Sequence, residues 1–207
     1  MAQQLRETFW QRHDKIIGPA LAEDFEKIGQ QDTRDALEAY ILEHSGPATR
    51  VLDAGCNTSV EGYRLFRKNF PGVYHGVDSN LKALQFAMQN NVGNTVTYQL
   101  ADIADIQYPD AYFDIVFSKD VIEHAEHYRD ILPELCRLSR DHFILAFFIK
   151  PEDEPDDIQP HEDGYFLNRY DRRELLDLVK QCGFGRPEQI FENSTDEILV
   201  FRRVKRT

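Results

Sequence analysis

At 207 residues the chain is long enough for one domain with a full hydrophobic core and some appended segments. Its 36 acidic residues against 24 basic ones leave a formal charge of −12, which disfavours a nucleic-acid partner, because such binding draws its affinity from clustered Lys and Arg. Cys56, Cys136 and Cys182 form no CxxC pair, and no apolar run is long enough to span a bilayer, so neither a disulfide framework, a zinc site nor a membrane partner is expected, and the cysteine usage fits a cytoplasmic protein.

In chain order, Phe9, Ile16, Ile17, Leu21, Phe25 and Ile28 are spaced for helices interrupted at Gly18 and Pro19, which predicts an N-terminal helical cap over residues 1–46. Asp32 is the expected N-cap of a helix through Ala36, Leu37, Tyr40 and Ile41 that stops near Ser45, Gly46 and Pro47. A core over 47–150 follows. Strands are predicted at Arg50–Ala54, Val73–Val77, Thr95–Leu100, Phe113–Ser118 and His142–Ile149, with helices at Val60–Asn69, Asn80–Asn90 and His127–Ser139. Strands separated by helix-length segments require parallel pairing through right-handed crossovers, with helices on both faces. The seven acidic residues and three prolines of Pro151–Gly164 predict a mobile, exposed loop, part of a lid over 151–170. A helix over Asp171–Cys182 and strands at Pro187–Phe191 and Glu197–Val204 complete the chain as a hairpin, and the basic residues Arg202, Arg203, Lys205 and Arg206 read as a solvated tail or strand edge. The expected architecture is one α/β domain, a Rossmann-like, doubly wound, seven-stranded and mostly parallel sheet.

Chemistry concentrates where the parallel strands end. Val51-Leu52-Asp53-Ala54-Gly55-Cys56-Asn57 is a buried strand closing on an acidic residue and a glycine turn before a helix, the place where such sheets bind cofactors and where glycine lets a ligand approach the backbone. One βα unit later the strand ends in Asp78-Ser79-Asn80, where a carboxylate can accept both ribose hydroxyls or can simply cap the next helix. Asp102 and Ile103 after the third strand suit the edge and face of an adenine ring, and Asp105 competes with Asp102 for that role. The fourth strand delivers Ser118 and the phrase Lys119-Asp120-Val121-Ile122-Glu123-His124 to the same edge.

These motifs, over about Arg50 to Ile149, resemble the class I S-adenosylmethionine-dependent methyltransferases, especially the small-molecule branch that includes the ubiquinone-pathway O-methyltransferases. The resemblance implies that Asp53, Gly55, Cys56 and Asn57 hold the methionyl part of S-adenosylmethionine, Asp78 with Ser79 the ribose, and Asp102 with Ile103 the adenine, while Ser118 stands at the same sheet edge. It also places the phrase Val121-Ile122-Glu123-His124 near a methyl acceptor. His124 is the candidate base, since imidazole titrates near neutrality, and the competing role is packing or capping. Some relatives hold a divalent metal with such a Glu-His pair, but Glu123 and His124 are an incomplete ligand set and no metal is expected. The family's second and third glycines are replaced by Asn57 and Ser59; Asn tolerates the left-handed conformation, and Ser59 is expected to cap the following helix.

The expected activity is methyl transfer to a small acceptor, on oxygen or nitrogen. A module that binds the cofactor without turnover is the alternative. An NAD-dependent oxidoreductase shares the sheet but requires a G-x-G-x-x-G turn that Asn57 breaks. Trp10, His13, Tyr165, Phe166, Asn168, Arg169 and Tyr170 are the candidate lid residues, with Arg169 able to bind an acceptor carboxylate or phosphate.

Overall fold

The computed structural model describes residues 30–90, 95–162 and 165–204. The expected helices of the N-terminal cap before Gln30, with Trp10 and His13, lie outside these residues, as do Lys205 and Arg206.

The elements are α1 (Gln31–Glu43), β1 (Arg50–Ala54), α2 (Val60–Arg67), β2 (Val73–Asp78), α3 (Leu81–Asn90), β3 (Val96–Leu100), β4 (Phe113–Lys119), a 3₁₀ turn (Ile122–His124), α4 (Tyr128–Leu138), β5 (Ser139–Phe147), α5 (Arg172–Gln181), β6 (Glu188–Glu192) and β7 (Glu197–Arg202). The strands form one sheet in the order β3-β2-β1-β4-β5-β7-β6. β1 to β5 are parallel, whereas β7 runs antiparallel to both β5 and β6. The expected mostly parallel, doubly wound sheet with a C-terminal hairpin is therefore present.

Alternation along the strands divides the core into two layers. Leu52, Val116, Phe143, Leu145 and Phe201 face α4 and α5, where Leu132, Leu135, Leu175 and Val179 meet them. Val51, Ile115, Phe117, Ile144 and Val200 face Leu37 and Ile41 of α1 and Leu65 of α2. Burial of each such side chain contributes about 1.5–3 kcal/mol relative to exposure. The central strands read as near-continuous apolar runs because both of their faces are covered.

Several local expectations are corrected. Asp32 lies in the first turn of α1, and Gln30, with φ of 63°, occupies the N-cap position. β5 begins at Ser139 rather than His142, since Phe113 pairs with Ser139 across an irregularity in the register. Residues 151–162 are largely exposed, yet they are pinned. Glu152 bridges to Asp171, Asp157 to Arg169 and Pro160 to Phe166, while Asp156 accepts the Asp171 N–H at 2.8 Å and the Tyr128 hydroxyl at 3.2 Å. Arg203 is no solvated tail residue either. Its guanidinium donates to the carbonyls of Cys136 (2.6 Å), Ser139 (2.7 Å) and Cys182 (3.3 Å) and stacks over the Phe184 ring. The same fold brings Cys136 and Cys182 into hydrogen-bonding contact, although 46 positions separate them.

Candidate functional site

The site is built where β1, β2, β3 and β4 release their chains at the same edge of the sheet. Register fixes the neighbours: Ala54 lies opposite Val77, and Asp78 lies opposite Leu100. The residues just beyond, Gly55, Ser79 and Ala101, are therefore brought together by strand pairing and by nothing more elaborate.

The glycine turn closes onto β2 through two bonds to one carbonyl, from Gly55 N–H (2.8 Å) and Cys56 N–H (3.0 Å) to Val77 O. Gly55 sits at φ of 86°, and a Cβ there would meet Val121 Cγ2 at 2.5 Å. Asn57 and Ser59, which stand where the resembled family has glycines, are at φ of 48° and 60°, so the left-handed path of the loop is kept without glycine. Ser59 occupies the N-cap position of α2 but does not cap it, contrary to expectation. Its hydroxyl donates to the Tyr74 hydroxyl and accepts from that of Tyr98, both at 3.0 Å, because the left-handed backbone turns it away from the helix N–H groups. Gly62 follows inside α2, where a Cβ would strike Ser59 Oγ and the Tyr74 ring. It is a packing glycine.

Asp53 and Asp78 differ in role. Asp53 is 3% exposed and accepts a hydrogen bond from the Tyr74 hydroxyl; burial pushes its carboxyl up to about 7, against the opposing effect of that bond. It braces the turn from beneath. Asp78 stands between turn and helix, one oxygen accepting Asn57 N–H and the other Asn80 N–H, each at 2.8 Å. Burial raises its carboxyl above the usual range while these N–H groups oppose the rise. The Ser79 N–H also faces this carboxylate, and since two carboxylate oxygens carry about four acceptor sites, capacity for a further donor remains. The helix-cap role expected as the alternative falls to Asn80, whose Oδ1 accepts from Lys82 (3.0 Å) and Ala83 (3.1 Å).

Ala101 N–H donates to Asp78 O at 3.1 Å, which ties the exit of β3 to that of β2. Asp102 follows, half-buried, with Oδ1 accepting Ala104 N–H at 2.9 Å, and Ile103 packs against the core. Asp105 points outward to Gln107, so Asp102 holds the inner position of the two.

Two expected cofactor residues have side chains buried against the protein itself. The Cys56 side chain is buried over Gly76, and burial beside Asp53 and Asp78 pushes its thiol well up. Ser118, 2% exposed, donates its hydroxyl to Ala54 O at 3.0 Å and so locks β4 to the end of β1. Only the backbone of Cys56 remains on the ligand side of the turn.

Beyond β4 the chain passes through Asp120, at φ of 56°, into the 3₁₀ turn. Such strain in a non-glycine residue persists only where its surroundings fix it. Here Lys119, itself buried, holds Asp120 and the Gln30 side chain, and Arg34 of α1 pairs with Glu61 in the first turn of α2. These charged contacts from α1 were not foreseen from sequence, because nothing in the spacing reveals which helix covers which loop. Glu123 was foreseen only as half of a metal pair. It is fully buried, takes Phe148 N–H on Oε1 at 2.8 Å, and burial raises its carboxyl to about 8. Among the described residues no group of three or more His, Cys, Asp and Glu is placed to hold a metal ion.

His124 is half-buried beside the rings of Phe148 and Tyr165. Burial lowers its pKa below the usual 6.5, opposed by the Phe166 carbonyl and by Asp120. Nδ1 lies 2.8 Å from Phe166 O, an acceptor only, so the neutral ring carries its proton on Nδ1 and its lone pair on Nε2.

The comparisons with known proteins agree with this layout. Magnesium protoporphyrin IX methyltransferase from Synechocystis PCC 6803, with bound SAM, shares the fold at a TM-score of 0.67 and 20% identity, over 95% of this chain and 90% of that one. Phosphoethanolamine N-methyltransferase 1 of Zea mays is 24% identical over 195 residues, covering 91% of this chain and 37% of the maize protein. Malonyl-acyl-carrier-protein O-methyltransferase of Serratia marcescens is 31% identical over 144 residues, covering 65% of this chain and 54% of its own length. The chain thus spans less than two thirds of either curated relative. The family described as "Methyltransferase domain" matches residues 45–148, which is half of the chain and contains the four strand ends, the glycine turn and the His124 turn. With that match and this geometry, the chain belongs to the methyltransferase domain family.

Proposed function

We propose that this chain is a single-domain S-adenosylmethionine-dependent methyltransferase that methylates oxygen or nitrogen of a small-molecule acceptor in the cytoplasm. The observation that carries this reading is the run of contacts from the Val121 side chain against Gly55, through Asn57 N–H on the Asp78 carboxylate, to Ala101 N–H on the Asp78 carbonyl beside Asp102. The left-handed turn at Gly55 and the remaining acceptor capacity of Asp78 suit an adenosyl ligand. S-adenosylmethionine, when bound, supplies a methyl group on a positively charged sulfur.

The chain's own residues would do the rest. Asp78 accepts the two ribose hydroxyls, and charge-assisted bonds of this kind contribute about 1.5–3 kcal/mol each when shielded from water. Asp102 and Ile103 take the edge and face of the adenine. His124 Nε2 removes the proton of the acceptor while Nδ1–H stays on the Phe166 carbonyl, and holding the acceptor in line is worth about 7–11 kcal/mol on its own. The two curated relatives are named for N-methylation of phosphoethanolamine and O-methylation of malonyl-acyl-carrier protein; an amine or hydroxyl acceptor carries a proton for the imidazole to take, whereas an ionised carboxylate needs positioning alone. No helix among the described residues is long and apolar enough to cross a membrane, and the net charge of −12 argues against a nucleic-acid acceptor.

Calorimetric titration with S-adenosylmethionine and S-adenosylhomocysteine tests the first half of the proposal. Binding of both is expected, and binding of neither refutes it. Incubation with methyl-labelled S-adenosylmethionine and a metabolite extract, read by mass spectrometry, tests the second half, since binding without any labelled product identifies a module without turnover.

A further inference from the structure

We propose that Asn168 and Tyr170 are positioning residues that hold the 3₁₀ turn Ile122–His124 and thereby keep the His124 imidazole in its Nδ1–H form. The inference rests on the methyltransferase reading, in which His124 Nε2 receives a proton, and it assigns a role to side chains that the sequence marks only as lid candidates.

A three-residue 3₁₀ turn has little stability of its own and leaves its carbonyls without helical partners. Here the carbonyls of Ile122, Glu123 and the following Ala125 meet the segment 166–170. Asn168 N–H donates to Glu123 O at 2.8 Å, and Asn168 Nδ2 donates to Ala125 O at 2.8 Å. The Tyr170 hydroxyl lies 2.5 Å from Ile122 O and 2.7 Å from Ala125 O, so its single proton is shared between them. Asn168 Nδ2 also reaches the Tyr170 hydroxyl at 3.0 Å, and Asn168 Oδ1 accepts Gln159 N–H at 3.1 Å. Asn168 is 0% and Tyr170 1% exposed, which is costly for two polar side chains unless their polar atoms are paired. Apart from the Gln159 N–H, the pairing is directed at one turn.

The same segment carries the other end of the clasp. Phe166 O, two residues before Asn168, takes the His124 Nδ1 proton. Loosening Asn168 or Tyr170 therefore frees the turn and displaces the carbonyl that selects the tautomer. Tyr170 is itself held by the Tyr128 ring at 4.0 Å, and Asp156 anchors Tyr128 and Asp171 N–H, which gives the clasp a rigid base. Among the described residues, Asp120 from the β4 side and Tyr165 from the clasp are titratable groups facing His124. Neither is altered by the variants below.

Nitrogen-15 NMR of the histidine rings tests the inference without an acceptor. The His124 signal among the seven histidines is identified by its loss in His124→Gln. Wild type should show the Nδ1–H form. Tyr170→Phe, which keeps the ring and removes only the hydroxyl, and Asn168→Ala should both gain the Nε2–H form, with circular dichroism unchanged. A wild-type His124 in the Nε2–H form, or an unchanged tautomer in folded Tyr170→Phe, overturns the inference. Should Asn168→Ala fail to fold, Tyr170→Phe decides by itself. Loss of S-adenosylhomocysteine binding by the wild-type chain would instead count against the methyltransferase reading, so the two failures are distinguishable.

Discussion

Val121 stands against Gly55 so closely that a Cβ on the glycine would lie 2.5 Å from Val121 Cγ2. This contact seats the turn that carries His124 directly on the turn expected to hold the cofactor. Substitution of Gly55 by Ala meets two penalties, the clash and the positive φ of 86°. A loss of about 1–3 kcal/mol in stability is expected, together with weaker S-adenosylhomocysteine binding. Adding Val121→Ala should recover part of the stability but not all of it, because only the clash is relieved. Thermal melts and calorimetry of the single and double variants check this, and full recovery would contradict the backbone argument.

Asp78 joins the glycine turn to the proposed ribose position, so Asp78→Ala removes both the bond to Asn57 N–H and the proposed ribose contact. S-adenosylhomocysteine affinity should fall at least about 10–100-fold, the equivalent of one lost charge-assisted bond. Asp105→Ala, on the outward-facing competitor, should leave affinity unchanged, whereas Asp102→Ala should weaken it. Titration of the three variants reads the difference, and equal affinities throughout would place the adenosyl ligand elsewhere.

Glu123 gives a pH dependence of the less common sign. Its folded pKa, about 8, is above the ordinary 4.5, so the native state binds its proton more tightly than the unfolded chain does. Its stabilising contribution is complete below about pH 4.5 and is lost as pH rises to about 8. Glu123→Gln resembles the protonated form and keeps an acceptor for Phe148 N–H. The variant should match wild type near pH 5 and melt at a higher temperature at pH 8. An equal difference at both pH values would mean that Glu123 is ionised in the native state.

The three cysteines should react very unequally. Hydrogen bonding from Cys136 and the charge of Arg203 lower the Cys182 thiol to about 7, although partial burial opposes them, while Cys136 and Cys56 are pushed up. Iodoacetamide at neutral pH should label Cys182 first, with a rate that rises through about pH 7, and mass mapping of the modified peptides checks the order. Labelling of Cys56 ahead of Cys182 would contradict it.

The sheet was legible because Val51-Leu52, Ile115-Val116-Phe117 and Phe143-Ile144-Leu145 are buried on both faces, and such runs leave little alternative to central parallel strands. The strand-end residues Gly55, Asp78 and Asp102 were legible for a related reason, since each directly follows or ends its run. What escaped was lateral. No spacing shows that Arg34 reaches Glu61, that Ser59 turns to Tyr74 and Tyr98, or that Ser118 faces Ala54, because those pairings depend on how layers settle against one another. The acidic composition of the segment signalled the exposure seen over residues 151–162 but concealed their anchorage, in which one carboxylate, Asp156, and three isolated bridges take part.

The placement of β7 between β5 and β6 bears on the order in which the domain can assemble. β6 is synthesised earlier, yet it has no seat on the sheet until β7 has paired with β5 along His142–Phe147. A nascent chain that has emerged only as far as Glu192 therefore displays an open apolar strand, Phe143 to Phe147, with a row of unanswered amides. That interval is when this protein is most exposed to misassociation, and it ends when Glu197–Arg202 leave the ribosome and close the gap.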